Sequence, residues 1–165
     1  MSKSKSGSKT EKKRVLRRKT LRSKKSVRHS KLSFIGTGGA DNKSLIVRLF
    51  LEMLNNIKLY HWKTHSFAQH KATDDLHSKL SENVDTFVEV LLGKDESRVK
   101  LLDTNITLLD TDNLGDFKTR IYEYRTFLQD MTYKLDTKKD TDLLNIRDEM
   151  LGHLNQFLYL LTFDK

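Results

Sequence analysis

The sequence predicts an all-α protein, in which a helical bundle follows a basic arm. The chain of 165 residues has no proline and only seven glycines, which favours long uninterrupted helices over a turn-rich sandwich or barrel. Four segments repeat apolar residues at helical spacing. Positive charge is concentrated in the first 35 residues. We therefore expect a disordered or extended arm with its hinge in residues 1–39 and one helical domain in residues 40–165.

Apolar periodicity defines each predicted helix in turn. The first helix covers residues 42–64, and the second covers residues 67–92 with a stop at Gly93. The third covers residues 113–136. The fourth follows a cap at Asp140 or Thr141 and covers about residues 141–163. The polar side of the first helix comprises Arg48, Glu52, Asn55 and Asn56. The apolar faces comprise Ile46, Leu49, Phe50, Met53, Leu54 and Ile57; Leu76, Leu80, Val84, Phe87 and Leu91; Phe117, Ile121, Tyr124, Leu128, Met131 and Leu135; and Ile146, Met150, Leu154, Phe157 and Leu161.

The lengths of the connections predict the topology. The links at residues 65–66 and 137–139 are short, so each flanking pair of helices should form an antiparallel hairpin. The link between the second and third helices is long enough to cross the length of a helix, and its apolar residues predict that it packs, with a short helix as one option. These residues are Val99, Leu101, Leu102, Ile106 and Leu108. Two hairpins joined by one long crossover predict a ferritin-like four-helix bundle.

The arm and the body have opposite charge. Residues 1–35 hold 14 of the 31 Lys and Arg and one of the 22 Asp and Glu, for +13, which leaves 17 and 21, or −4, for the rest. Basic side chains neutralise phosphates without reading sequence, so DNA or another nucleic acid is the leading partner of the arm. A solvated tail and a targeting segment are the alternatives. The residues predicted to bind nucleic acid are Lys12, Lys13, Arg14, Arg17, Arg18, Lys19, Arg22, Lys24, Lys25 and Arg28.

Five residues near and on the second helix have the types and spacing of metal ligands. They are His61, His70, Asp74, Asp85 and Glu89. His70 and Asp74 share one helix face, as do Asp85 and Glu89, and eleven residues separate the aspartates. No cysteine is present, so thiolate ligands and disulfides are excluded and any metal is held by oxygen and imidazole. The alternatives are solvated surface pairs, a satisfied core histidine at His61, and packing roles for Trp62 and Phe67.

The spacing of these ligands predicts a dimer. Eleven helical residues rise ~16.5 Å, whereas ligands lie only ~2.0–2.2 Å from a metal. One chain therefore cannot bring both pairs to one ion, but two antiparallel copies of the helix can. A twofold axis would set His70 and Asp74 of one subunit against Asp85 and Glu89 of the other. His61 could complete the histidine-rich half.

The run that contains these residues resembles the Dps mini-ferritins, the DNA-protecting members of the ferritin-like superfamily. The resemblance covers about residues 45–93 and rests on His61-Trp62, on His70 with Asp74, and on Asp85 with Glu89. It implies an intersubunit ferroxidase site with these five ligands, with iron bound and oxidised and no catalytic residues apart from the ligands. Another divalent metal, or none, remains an alternative. Residues 60–76 also resemble ferritin-like proteins of unknown function from giant viruses and large phages.

Two further interpretations stay open at this stage. The protein could be a virion or nucleoid structural protein, with the bundle serving for dimerisation, capsid proteins as partners and no catalysis. It could also be a soluble helical adaptor whose arm is only an import signal. No run approaches the ~20 apolar residues of a membrane-spanning helix. We expect a homodimer or larger homo-oligomer in a nucleoid or virion, or otherwise in the cytoplasm or nucleus.

Overall fold

The computed structural model describes residues 39–163, and side chains from residue 42 onward. The regular secondary structure of these residues is entirely helical, without a strand. They form α1 (Gly39–Lys63), α2 (Phe67–Gly93), α3 (Leu114–Asp130), a short 3₁₀ helix (Met131–Tyr133) and α4 (Thr141–Leu160). None of these helices is long and apolar enough to cross a membrane. The predicted all-α class is therefore confirmed for the described part of the chain.

The helices pack around one apolar core, and most of the predicted apolar positions lie in it. The complete stripe of α2 is buried, and Leu54, Leu135 and Ile146 pack against the core from partly buried positions. Aromatic rings connect the elements. Phe50 of α1 meets Phe87 of α2 and Phe127 of α3 edge to face, and Tyr60 stacks on Phe117 with ring centroids 3.8 Å apart. Such pairs stabilise the core beyond the apolar area that they bury.

Contacts at both ends of the helices show their directions. Lys94, just after α2, lies 3.1 Å from Asp140 and 3.0 Å from Asp142 at the start of α4. Ala72 near the start of α2 and Leu160 at the end of α4 line one cleft, so these two helices are antiparallel. The Tyr60–Phe117 and Phe50–Phe127 pairs make α1 and α3 antiparallel as well. Consequently α2 and α3 run in the same direction, and residues 94–113 must return along the bundle between them.

That returning segment, the crossover, contains no helix. It runs along α1 from the N–H of Leu102, which donates to Ser44 Oγ at 2.8 Å, to Asp110, which pairs with Lys63. The prediction that its apolar side chains pack is largely wrong, because Val99, Leu102, Ile106 and Leu108 are exposed. Hydrogen bonds from its backbone to polar side chains of α1 hold it instead.

The helix ends differ from the predictions at α1, α3 and α4. α1 begins three residues earlier, at Gly39, and α4 ends at Leu160. The main difference is at α3, which stops at Asp130 and tightens into the 3₁₀ helix. Arg147 of α4 donates to the carbonyl of Leu128 at 2.9 Å, and the backbone N–H of Met131 donates to the same carbonyl, so α4 reinforces the end of α3. Asp136 then accepts from the N–H groups of the next turn, so the chain reverses there.

Candidate functional site

Two histidines at the corner between α1 and α2 hold each other in place. Nδ1 of His61 lies 2.9 Å from the carbonyl oxygen of His70, and Nδ1 of His70 lies 3.0 Å from the carbonyl oxygen of His61. Their rings stack with centroids 3.8 Å apart. Because a carbonyl oxygen only accepts, each Nδ1 carries a proton, and in the neutral rings each Nε2 keeps a free lone pair. A backbone carbonyl on the second ring nitrogen is the usual arrangement of metal-binding histidines.

The tight corner brings these two residues together. Ser66 caps α2 by accepting from the N–H of Gln69 at 3.3 Å. The side-chain oxygen of Gln69 accepts from Tyr60 at 2.6 Å and from Thr64 at 2.8 Å. The last turn of α1 is thereby tied to the first turn of α2, which leaves His61 directly beside His70.

Asp74 lies next to the histidine pair but already has a cationic partner. Its Oδ1 is 3.9 Å from Nε2 of His61 and 3.3 Å from Nζ of Lys58. The hydrogen bond from Lys58 holds the pKa of Asp74 below its ordinary value. Burial, with a contribution from Lys58, lowers the pKa of the neighbouring His77. The structure therefore assembles His61, His70 and Asp74, and it adds Lys58 and His77, which the sequence analysis did not select.

Asp85 and Glu89 are exposed further along α2 and belong to the same side of the bundle. An open groove of about 800 Å³ between α1 and α2 connects Asp74 to Asp85. Leu51 and Leu54 of α1 line this groove, together with His77 and Glu82 of α2. The groove thus has an apolar floor and carboxylates along its length, in a position that a second copy of α2 could reach.

A single chain does not complete a metal site. Within residues 39–163, no group of three or more His, Asp or Glu side chains is arranged to hold a metal ion. The histidine-rich half and the acidic half lie on one helix, separated by the ~16.5 Å rise of eleven residues. Any site that uses all five predicted ligands therefore requires a second chain.

A buried polar cluster under the crossover was missed by the sequence analysis, which placed Glu52 and Asn56 opposite the core. Both are only 1% exposed. Glu52 accepts from the N–H of Thr107 at 2.9 Å, and its other oxygen lies 3.7 Å from Arg120. Arg120 also lies 3.1 Å from Glu123 of α3. The prediction fails because the crossover and α3 cover a face of α1 that is polar in the sequence.

Asn56 holds the crossover through its side-chain amide. Its Nδ2 donates to the carbonyl of Thr107 at 2.8 Å, and its Oδ1 accepts from the N–H of Leu109 at 2.6 Å. Nδ2 also donates to the hydroxyl of Tyr124 at 2.7 Å. Burial, with the charge of Glu52, raises the pKa of Tyr124, so this hydroxyl stays protonated. The amide thus links three elements of the bundle.

The packing roles expected for Trp62 and Phe67 are wrong. Their exposed fractions are 69% and 79%, because the corner turns both rings away from the core. Nζ of Lys58 lies 5.9 Å from the centroid of Trp62, within range of a cation–π contact.

The residues predicted to bind nucleic acid lie outside the described residues. They are Lys12, Lys13, Arg14, Arg17, Arg18, Lys19, Arg22, Lys24, Lys25 and Arg28. Their role stays a prediction from the sequence.

A comparison with known protein families finds a match for the body of the chain. A family described as "Family of unknown function (DUF5856)" matches residues 61–161, which is more than half of the 165 residues. The chain belongs to this family. The DUF5856 match contains all five predicted metal ligands as well as Arg120 and Tyr124, whereas Glu52 and Asn56 precede it. Searches of curated proteins and of solved structures find no match.

Proposed function

We propose that this protein is a Dps-like mini-ferritin that binds and oxidises Fe(II) at sites shared between two subunits, with its basic arm on DNA. The reciprocal hydrogen bonds of His61 and His70 carry the proposal. They orient two imidazoles so that both Nε2 atoms are free to bind a metal beside Asp74. Imidazole and carboxylate ligands suit iron, although ligand type alone does not distinguish it from other divalent metals.

The arrangement of the helices supports a ferritin-like bundle. Two antiparallel hairpins joined by one long crossover distinguish that bundle from an up-down-up-down one. The crossover at residues 94–113 lies along α1, and α2 and α3 run in the same direction. Metal sites in this architecture are built from side chains on facing helices.

The second half of the site would come from the partner subunit. Asp74 lies at one end of the groove and Asp85 at the other, and Glu89 is exposed one turn further along α2. A twofold axis across the groove sets the two halves against each other and forms two equivalent sites. Iron is the substrate here. Two Fe(II) ions each give one electron to hydrogen peroxide, which takes up two protons and leaves as two waters.

Paired variants test the intersubunit site directly. Asp85→Asn/Glu89→Gln and His70→Ala/Asp74→Asn should each lower the rate of peroxide-dependent Fe(II) oxidation by about tenfold or more. Asp75→Asn, on the same helix and paired with Lys79 at 2.7 Å, is the matched control and should leave the rate unchanged. When the two double variants are coexpressed, random pairing should restore about a quarter of the wild-type sites, because one site of each mixed dimer is intact. Equal oxidation rates in wild type and both double variants would refute the proposal.

One observation favours a second candidate, a virion or nucleoid structural protein. Lys58 lies 3.3 Å from Asp74, so this carboxylate is neutralised without a metal ion. The groove would then be a dimer interface that needs no iron, with the arm tethering the genome. Under this alternative, the purified full-length chain contains no stoichiometric iron, and its mass in solution is the same with and without a chelator. Under the first proposal, iron is present at up to two ions per site.

A further inference from the structure

A cleft of about 430 Å³ lies between the start of α2 and the end of α4. Most of the side chains that line it are apolar, namely Ala68, Ala72, Leu160, Leu161 and Phe163. Pockets that bind small molecules have volumes of ~300–1,000 Å³, are lined mainly by apolar side chains and often lie between the helices of a bundle. The cleft therefore has the size and the lining of a ligand pocket.

Two alanines on α2 create the space. Ala68 and Ala72 share one helix face, so α2 presents ~6 Å of its length there without a large side chain. Opposite them α4 ends at Leu160, and the chain turns, with the N–H of Phe163 donating to the carbonyl of Leu160 at 3.2 Å. The ring of Phe163 forms one wall of the cleft and is not packed into the core. An opening of this width admits a single alkyl chain, whereas a helix is ~10–12 Å across.

One cation at this cleft has no paired anion. Lys71 is exposed and lines the cleft, and its ammonium group forms no ion pair or hydrogen bond within residues 42–163. Asp75, the one carboxylate in the described lining, pairs with Lys79 at 2.7 Å. Lys71 also acts through space on Asp74, but that carboxylate bonds Lys58 at 3.3 Å. The charge of Lys71 is therefore available to an anion at the mouth of the cleft.

We propose that this cleft binds a single-chain amphipathic anion, an alkyl carboxylate of medium length. The alkyl chain lies between Ala72 and Leu160, where the apolar walls remove it from water, and the carboxylate lies at Lys71. A flat membrane surface does not enter a concave site of this width. None of the five predicted metal ligands lines the cleft, so this inference does not depend on a metal site.

Calorimetric titration of the full-length chain with decanoate, kept below its micelle concentration, tests the site. Wild type should bind one decanoate per chain. Ala72→Leu should weaken the affinity at least about tenfold, because the larger side chain occupies the space of the ligand. Lys71→Gln should weaken it about fivefold, because the partner of the carboxylate is lost. Lys138→Gln is the matched control, because Lys138 is exposed in the turn before α4, at the opposite end of the bundle, and it should bind decanoate as wild type does.

Two further measurements keep the test decisive. Ala68→Leu fills the same cleft from an exposed position, so it should weaken decanoate binding even if Ala72→Leu disturbs the packing. Decyltrimethylammonium, which has the same chain with the opposite charge, should bind wild type more weakly than decanoate does. The proposal is overturned if decanoate does not saturate a site, if both alanine variants bind it as wild type does, or if the two amphiphiles bind equally. A change in the mass of the protein in solution caused by Ala68→Leu would instead identify the cleft as an interface between copies.

Discussion

The cluster under the crossover and the face around the groove both contain polar and charged side chains, but under opposite conditions. Glu52, Asn56 and Arg120 are buried, and their polar atoms are directed at other parts of the same chain. Asp85 and Glu89 are exposed and have no such partners in the described structure. The first set stabilises the fold, whereas the second set is available to bind something else. The difference lies in what covers each helix face.

A second contrast lies within the histidine-rich half of the proposed metal site. The histidines are fixed by backbone carbonyls and are therefore preorganised, but Asp74 beside them already pairs with Lys58. Preorganised ligands lose little conformational freedom on binding. The positive charge of Lys58 opposes the binding of a cation beside Asp74. Replacing Lys58 therefore tests directly how far this charge limits metal binding.

The largest effect is expected from breaking the buried ion pair. Arg120→Met should lower the free energy of unfolding by about 3 kcal/mol, because the buried carboxylate of Glu52 would lose one of its two cations and keep only Arg48, at 3.9 Å. Urea denaturation measures this change. Arg125→Met, on the same helix but only partly buried, should cost under about 1 kcal/mol. Adding Glu52→Gln to Arg120→Met should recover part of the loss. Equal destabilisation by Arg120→Met and Arg125→Met would show that the buried cluster contributes no more than the surface.

A smaller effect is expected from the amide that holds the crossover. Asn56→Ala should cost about 2 kcal/mol, since it leaves the N–H of Leu109 without its acceptor, and exchange of this amide should accelerate. Asn55→Ala is the matched control, because Asn55 is exposed and, among the described residues, bonds the carbonyl of Leu51 of its own helix. The control should change stability by less than about 0.5 kcal/mol. If both variants behave alike, the crossover is held by other contacts.

The smallest effect concerns the pH dependence at Asp74. Its pKa in the folded protein lies below 3.8 because of Lys58, so this pair contributes stability that is fully present above pH 3.8 and is lost as pH falls through the folded pKa. Lys58→Met should raise the pKa of Asp74 and weaken this acid sensitivity, as NMR titration of the carboxyl would show. It should also tighten binding of Fe(II) or Zn(II), because the competing cation is gone. Lys79→Met, which removes the partner of Asp75, should leave the titration of Asp74 unchanged.

Much of the fold could be predicted from the pattern of residues. The stripe of Leu76, Leu80 and Phe87 recurs at helical spacing, and burying such a stripe requires a neighbouring helix. The absence of proline predicted helices without breaks, and the lengths of the links predicted that one connection returns along the bundle. The spacing of His70, Asp74 and Asp85 likewise follows from helix geometry alone, so their placement on one side of α2 required no tertiary information.

Other features depend on which elements meet in space. Glu52 and Asn56 look like surface residues along the sequence, and they are buried because α3 and the crossover, more than 50 residues later, cover them. Lys58 joins the candidate site because the corner brings α1 against α2, and the same corner exposes Trp62 and Phe67.

The sequence by itself determined the helices, their order, the spacing of the predicted ligands and the division into a basic arm and an acidic body. These properties are local, because they depend on side chains within a few turns of one another. Only the tertiary structure decided which charges are buried and which carboxylate is already paired. These properties depend on long-range contacts, where the burial of a polar group is set by its distant neighbours and not by its own segment.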